Sequence, residues 1–318
     1  MSEKEKDQEW QQELITRLAS SALTEQRRSR RWGIFFKLLM FSYLITVLLM
    51  IAEPEWLAEP IESGKHTAVV DLEGVIARGQ KADADRVIKG LTAAFEDENS
   101  AAVILRINSP GGSPVQSGII YDEMRRLRKQ YPETPLYAVV DDVCASGGYY
   151  IAAAADKIYA DQASIVGSIG VRMDGFGFVE AMKSLGVERR LLTAGSNKAL
   201  LDPFLPQKAE QSAHIETLLN EIHQQFIDKV KEGRGDRLQL DDPLLFSGLI
   251  WSGAEGVKKG LVDALANVNE VARDVVGEEK IVNFTESDDL LTRFSDRIGA
   301  TMLNLFSTSN RTAPQLLP

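Results

Sequence analysis

Apolar and polar positions follow two different rhythms along this chain. Near the N-terminus, Gly33–Ala52 reads GIFFKLLMFSYLITVLLMIA, twenty residues in which Lys37 is the only charge. A helix of that length rises about 30 Å, the thickness of a bilayer's hydrocarbon core. Lys37 lies about one turn inside the run, where a long side chain reaches back to the headgroups. Trp32 and Trp56 bracket the run as interfacial anchors do. Arg27, Arg28, Arg30 and Arg31 precede it, and Glu53 and Glu55 follow. The positive-inside bias therefore puts residues 1–32 in the cytoplasm, makes 33–52 a membrane-crossing helix, and places the rest outside. A cleavable signal peptide is the rival reading. It would need a shorter charged region, and Met50 stands where its cleavage site wants a small residue. Residues 1–26 are polar, with helical potential around Trp10–Leu23, and read as a short helix or a mobile tail.

Residues 53–65, with Pro54, Pro60, Gly64 and several glutamates, form a linker. Beyond it, bunched apolar runs alternate with stretches of helical period. Thr67–Leu72, Ala101–Ile107 and Leu136–Val140 read as strands buried on both faces. Lys157–Ala160, Ser164–Val166 and Glu188–Leu192 read as shorter strands. Ala82–Glu96, Val115–Gln130, Gly147–Ala155, Phe178–Leu185 and Gln207–Lys231 read as helices. This alternation predicts an α/β domain over 66–285 with a largely parallel sheet and helices packed on it. In the C-terminal segment, 286–318, Leu290, Leu291, Phe294, Ile298, Met302, Leu303 and Phe306 recur at helical spacing. That amphipathic helix packs on its own domain, on another subunit or on the membrane surface.

Composition changes the picture in two places. The first 52 residues carry eight Lys/Arg and six Asp/Glu; the remainder, with 28 basic and 40 acidic residues, is net −12. An acidic domain argues against nucleic acid as the partner, because phosphate binding needs a basic face. A single cysteine, Cys144, rules out an intrachain disulfide.

The candidate chemistry lies in three glycine turns that follow buried strands: Asn108-Ser109-Pro110-Gly111-Gly112, Cys144-Ala145-Ser146-Gly147-Gly148 and Val166-Gly167-Ser168-Ile169-Gly170. In parallel sheets, sites assemble from loops at the carboxyl ends of strands. Each turn alone is also explained by glycine's freedom to take a tight corner. Ser146 opens a glycine- and alanine-rich helix, so its hydroxyl is either a nucleophile beside free N–H groups or an ordinary N-cap. The three histidines supply no obvious base. His66 lies beside the linker, and His214 and His223 sit on the long polar helix facing different ways, as solvated residues. They form neither a triad with Ser146 nor a metal-binding spacing, so no metal or cofactor is expected. Lysine remains. A free lysine is protonated at neutral pH, with a pKa of about 10.4, but burial disfavours the charged form and frees it to accept a serine proton. Lys198, in GSNKALLDPF, stands in a small-residue turn followed by an apolar run; the bland alternative is a loop lysine in solvent.

NSPGG, ASGGYYIA, GSIGV and KALLDPF, in this order and spacing, resemble the signal peptide peptidase A (SppA) and SohB-like serine proteases in their short, single-domain bacterial form. The resemblance covers about residues 66–270 and the N-terminal anchor. It implies a Clp protease/crotonase-like α/β fold with repeated ββα units. It also implies Ser146 as nucleophile, Lys198 as general base, and Ser168 as the residue that orients the lysine. The implied oxyanion donors are Gly112 and Gly147, with Gly111 or Ser113 as alternatives because the loop register stays open. A homo-oligomeric ring or dome in the bacterial inner membrane is implied, with the protease domain extracytoplasmic. A site complete in one chain and a site shared between subunits both remain open. The implied substrates are remnant signal peptides or other unfolded extracytoplasmic peptides. Rival readings are a protease dedicated to one membrane protein and a catalytically inert, membrane-anchored scaffold. Cys144, two residues before the nucleophile, is expected to be a small buried thiol with no part in catalysis.

Overall fold

The computed structural model describes residues 3–52 and 64–286 of the chain. The first part is one helix, α1 (Glu3–Ala52), 50 residues long. The helix anticipated around Trp10–Leu23 runs without a break into the apolar stretch. Glu25–Leu48 is long and apolar enough to cross a membrane. Phe35, Leu38, Phe41 and Leu44 are all exposed.

The second compact unit is Ser63–Glu286. Its sheet comprises β1 (His66–Glu73), β2 (Ser100–Ser109), β3 (Leu136–Ala145), β4 (Lys157–Ala160), β5 (Ile165–Gly167), β6 (Ile250–Ser252), β7 (Ala264–Leu265) and β8 (Ile281–Asn283). The order is β6-β5-β3-β2-β1-β8, with β4 branching from β3 and carrying β7. The pairings are parallel except β5 with β6, so the sheet is mixed but largely parallel. Alternate residues of the apolar runs face opposite sides. Val70, Leu72, Leu105, Ile107, Ala138 and Val140 join one core cluster, and Val69, Ile104, Val139 and Tyr159 join another. Burial on both faces is why these strands read as continuous apolar runs rather than as an alternation.

The larger core is covered by α2 (Ala84–Glu96), α3 (Pro114–Gln130) and α4 (Gly147–Ala152). Asp83 caps α2 by accepting from the Asp85 N–H, and Ser113 caps α3, with Pro114 in the first turn where no N–H is needed. The remaining helices are α5 (Val179–Ser184), α6 (Ala209–Arg234), α7 (Gly253–Lys258) and α8 (Val268–Glu270), which continues as a π-helical turn over Val271–Val276. Val268 and Val271 cover the second face.

Glu188–Leu192 is not a strand. The segment is exposed, and Glu188, Arg189 and Arg190 pair with acids and bases nearby in sequence rather than with a sheet. The amphipathic stretch Ser287–Phe306 lies outside the described residues.

One detail of the sheet positions the site. The first half of β3 pairs with β4, from Tyr137 to Val140, and its last residues, Val143–Ala145, pair instead with β5. The sheet forks at its carboxyl edge, and Ser146 emerges at the end of the inner branch.

Candidate active site

Ser146 leaves β3 at φ 51° and ψ −122°, a conformation few non-glycine residues adopt. Such strain persists only where neighbours over-determine it. Here the Ser146 N–H donates to Gly167 O at 2.8 Å, and Ser146 O accepts from Tyr150 N–H at 2.9 Å. The side chain makes no cap hydrogen bond to α4, so the N-cap reading of this serine does not hold.

The NSPGG turn packs directly on it. Gly111 has φ 99°, and a Cβ there would lie 2.7 Å from Ser146 Cβ and 2.8 Å from Gly147 N. At Gly112 a Cβ would lie 2.1 Å from Ile76 O. Both glycines are needed for close approach, one to the serine and the other to the backbone after β1. Ile76 N–H donates to Gly111 O at 3.0 Å, and Ser113 N–H donates to Ile76 O at 2.7 Å. The Gly111 N–H donates to Ser109 Oγ at 3.1 Å, and that hydroxyl donates to Gly74 O at 2.6 Å. The Gly111 and Ser113 amides are thus engaged, whereas the Gly112 amide has no protein acceptor among the described residues. Gly147 faces it: a Cβ on Gly147 would sit 3.2 Å from Gly112 N and 2.5 Å from Ser117 Oγ.

The third turn completes the cleft. Gly167 and Ser168 both have positive φ, and the Ser168 N–H donates to Leu249 O at 2.8 Å. Ser146, Ser168, Gly111, Gly112 and Gly147 all line one cleft of 660 Å³. Its apolar wall is Tyr150, Val171, Ile222 and Phe226. Arg172 and Asp174, 3.7 Å apart and exposed, stand at its rim. The arrangement offers a serine hydroxyl, the Gly112 amide beside Gly147, and an apolar surface for a side chain.

Lys198 is not on that wall. Its backbone N–H donates to Gly195 O at 3.2 Å, and its side chain is exposed, with no ion-pair partner among the described residues. The apolar enclosure expected of it is absent among the described residues, since none from 170 to 225 is buried. This stretch holds together by surface contacts. Phe178 stacks on Phe204 at 5.5 Å, and Arg189 lies over Phe204 at 5.4 Å while pairing with Asp202 at 2.7 Å.

Of the histidines, His223 differs from expectation. His66 is fully buried at the start of β1 and stacks on Phe284 at 5.8 Å. His214 is exposed. His223 is not a solvated helix residue: it is half-buried, with Nε2 3.0 Å from Ile169 O. Cys144 is fully buried, and burial pushes its thiol well above the ordinary range, which suppresses the thiolate. The supporting roles of Ser109, Ser117 and Ile76 carry no sequence signal beyond their place near the turns. Ile76 acts through its backbone, which any residue type presents, and the Ser109 and Ser117 hydroxyls bond to backbone groups of the turns, which no spacing announces.

The Peptidase family S49 pattern matches residues 128–281, and the Clp protease pattern matches residues 67–165. Among similar proteins, the Na(+)/H(+) antiporter NhaA of Brucella abortus is 50% identical over 189 residues, 59% of this chain and 25% of that protein. Protease 4 of Haemophilus influenzae is 33% identical over 68% of this chain and 35% of its own length. The chloroplastic serine protease SPPA of Arabidopsis thaliana is 29% identical over 58% of this chain and 27% of its own. This chain thus spans a quarter to about a third of the length of these relatives. The forked, largely parallel sheet is the Clp protease-like α/β fold, and the chain belongs to the SppA/SohB-like group of S49 peptidases.

Proposed function

We propose that this protein is a membrane-anchored serine endopeptidase in which Ser146 is the nucleophile and Lys198 the general base. The observation that carries the reading is the strained, uncapped Ser146 in one cleft with Gly147 and with Gly112, whose amide has no acceptor among the described residues. Neutral Lys198 takes the hydroxyl proton as Ser146 Oγ bonds to a peptide carbonyl carbon. The resulting oxyanion is held by the Gly112 and Gly147 amides, an interaction worth about a hundredfold or more in rate per donor. As the intermediate collapses, the C–N bond breaks and Lys198 passes its proton to the leaving amine. Water then attacks the acyl-enzyme with the same lysine as base, and Ser146 regains its proton. Ser168, on the same cleft wall, orients the lysine amine.

The exposure of Lys198 on a segment without buried residues favours a site shared between subunits over a site complete in one chain. A neighbouring copy would bring the lysine to Ser146 and supply the apolar surroundings that free it of its proton. The apolar wall of Tyr150, Val171, Ile222 and Phe226 suits small or apolar side chains. Together with the N-terminal helix, it supports remnant signal peptides or other extracytoplasmic peptides as substrates.

The test uses the full chain in detergent, as wild type, Ser146→Ala and Lys198→Ala, on an unfolded protein and a synthetic signal peptide. Cleavage by wild type alone is expected. Cleavage that survives either substitution would overturn the assignment. The wild-type rate should also fall on acidification, because protonating Lys198 removes the base; a rate that stays flat down to about pH 5 contradicts a lysine base.

A further inference from the structure

The Ser168 turn is strained and yet must hold its hydroxyl in one direction. Gly167 and Ser168 are consecutive residues with positive φ, and for serine that conformation is costly. The β6 side supplies one restraint, the Ser168 N–H donating to Leu249 O at 2.8 Å. The opposite restraint comes from α6, where His223 Nε2 lies 3.0 Å from Ile169 O, the carbonyl immediately after Ser168. A carbonyl can only accept, so Nε2 carries the proton and the tautomer is set by the contact. The Ile169 side chain is buried, so the turn is pinned by its backbone on both sides and its side chain beneath. The neighbours of His223 on α6, Ile222, Gln225 and Phe226, line the same cleft as Ser146 and Ser168.

We infer that His223 is a positioning residue: its Nε2–H holds the Ile169 carbonyl and thereby sets the direction of the Ser168 hydroxyl beside Ser146. This rests on the Ser–Lys reading, since the aim of Ser168 matters only if that hydroxyl orients the base. His223 touches neither substrate nor nucleophile and acts through the turn alone. An imidazole is well suited because its donor stands off a rigid ring, at a distance that a glutamine amide can also reach.

The test compares wild type, His223→Leu, which fills the space without a donor, and His223→Gln, which restores one. Two readouts are taken on the full chain in detergent: peptide-hydrolysis kinetics, and hydrogen exchange of the segment 165–172. His223→Leu should lower kcat about tenfold with KM within about twofold, and should speed exchange locally in that segment. His223→Gln should recover kcat to within about threefold of wild type together with the protection. Unchanged exchange and kcat in His223→Leu would overturn the inference. So would a loss spread over KM, melting temperature and exchange across the whole domain, which marks a merely structural residue, or a failure of glutamine to rescue. If wild type hydrolyses no peptide, the protease reading fails by itself, and with it the catalytic purpose of the contact; exchange at 165–172 still decides whether His223 holds the turn.

Discussion

Gly112 has little freedom to change. A Cβ there would meet Ile76 O at 2.1 Å, so even alanine must push the glycine turn off the strand end that positions it. Gly112→Ala is expected to lower kcat about a hundredfold or more, the cost of losing one oxyanion donor, while KM changes little. Gly175, with nothing near its missing Cβ, is the matched control, and Gly175→Ala should leave kcat unchanged. Steady-state kinetics on one peptide substrate compare the two. Ser146 and the glycines around it were legible in the sequence because each turn follows a buried strand, and parallel strands bring their carboxyl ends together. The His223 contact was not legible, because it joins residues 54 positions apart through a carbonyl that has no side-chain signature.

At the scale of elements, the C-terminal end of α6 is tied to the sheet by one buried ion pair. Arg234, 1% exposed, donates to Asp263 Oδ2 at 2.6 Å and, through Nε and Nη2, to Gly260 O. Asp263 also accepts from the Ile158 N–H and from Arg237. Burial works to raise the Asp263 carboxyl, but Arg234, the Ile158 amide and Arg237 outweigh it and hold the group below its usual range. A carboxylate depressed in the folded state adds stability above its unfolded pKa of about 3.9, and that contribution is lost as pH falls through the folded value. Thermal melting should therefore show an acid limb below about pH 4, and Asp71, also depressed, adds to it with the same sign. Asp263→Asn leaves Arg234 buried without a charge partner and is expected to cost about 3–5 kcal/mol. It should also flatten the acid limb; a limb that keeps its full depth in this variant would show that Asp263 is not its source. Where α6 passes α4, a Cβ on Gly233 would lie 1.9 Å from Ala153 O. Gly233→Ala is expected to destabilise by about 1–3 kcal/mol or more, read from denaturant midpoints. The long helix was legible from its length and period, but its buried end was not, because Arg234 reads as a surface residue until Asp263 is brought beneath it.

For the whole molecule, residues 170–225 are the anomaly. They include Phe176, Leu185 and Leu192, with Leu192 99% exposed, and none of them is fully buried among the described residues. Exposed apolar side chains of this kind suit a surface covered by another copy, as proposed above. If a neighbouring copy covers it and Lys198 reaches that copy's Ser146, two inactive variants should complement. Co-assembled Ser146→Ala and Lys198→Ala chains would regain a measurable fraction of wild-type hydrolysis, while a dyad within one chain predicts none. Leu192→Asp should shift the sedimentation of the detergent-solubilised protein toward smaller species and lower activity, with the melting temperature of the single chain little changed. Unaltered sedimentation would remove Leu192 from any such interface.

The sequence by itself determined the elements whose signals are local and long. These are the apolar run that makes α1 able to cross a membrane, the strands buried on both faces, the long amphipathic helices and the three glycine turns. Each follows from periodicity, or from a backbone conformation that few residue types accept. Only the tertiary structure decided what depends on distant partners. β6, β7 and β8 span two or three residues each and are strands only because a neighbour pairs with them. Glu188–Leu192 has the residues of a strand but no partner, and so is none. The fork of β3 between β4 and β5, which sets Ser146 against Gly167, is a register choice no single segment encodes. The same reason left Lys198 off the wall of the Ser146 cleft: an exposed side chain is placed by whatever covers it, and among the described residues nothing does.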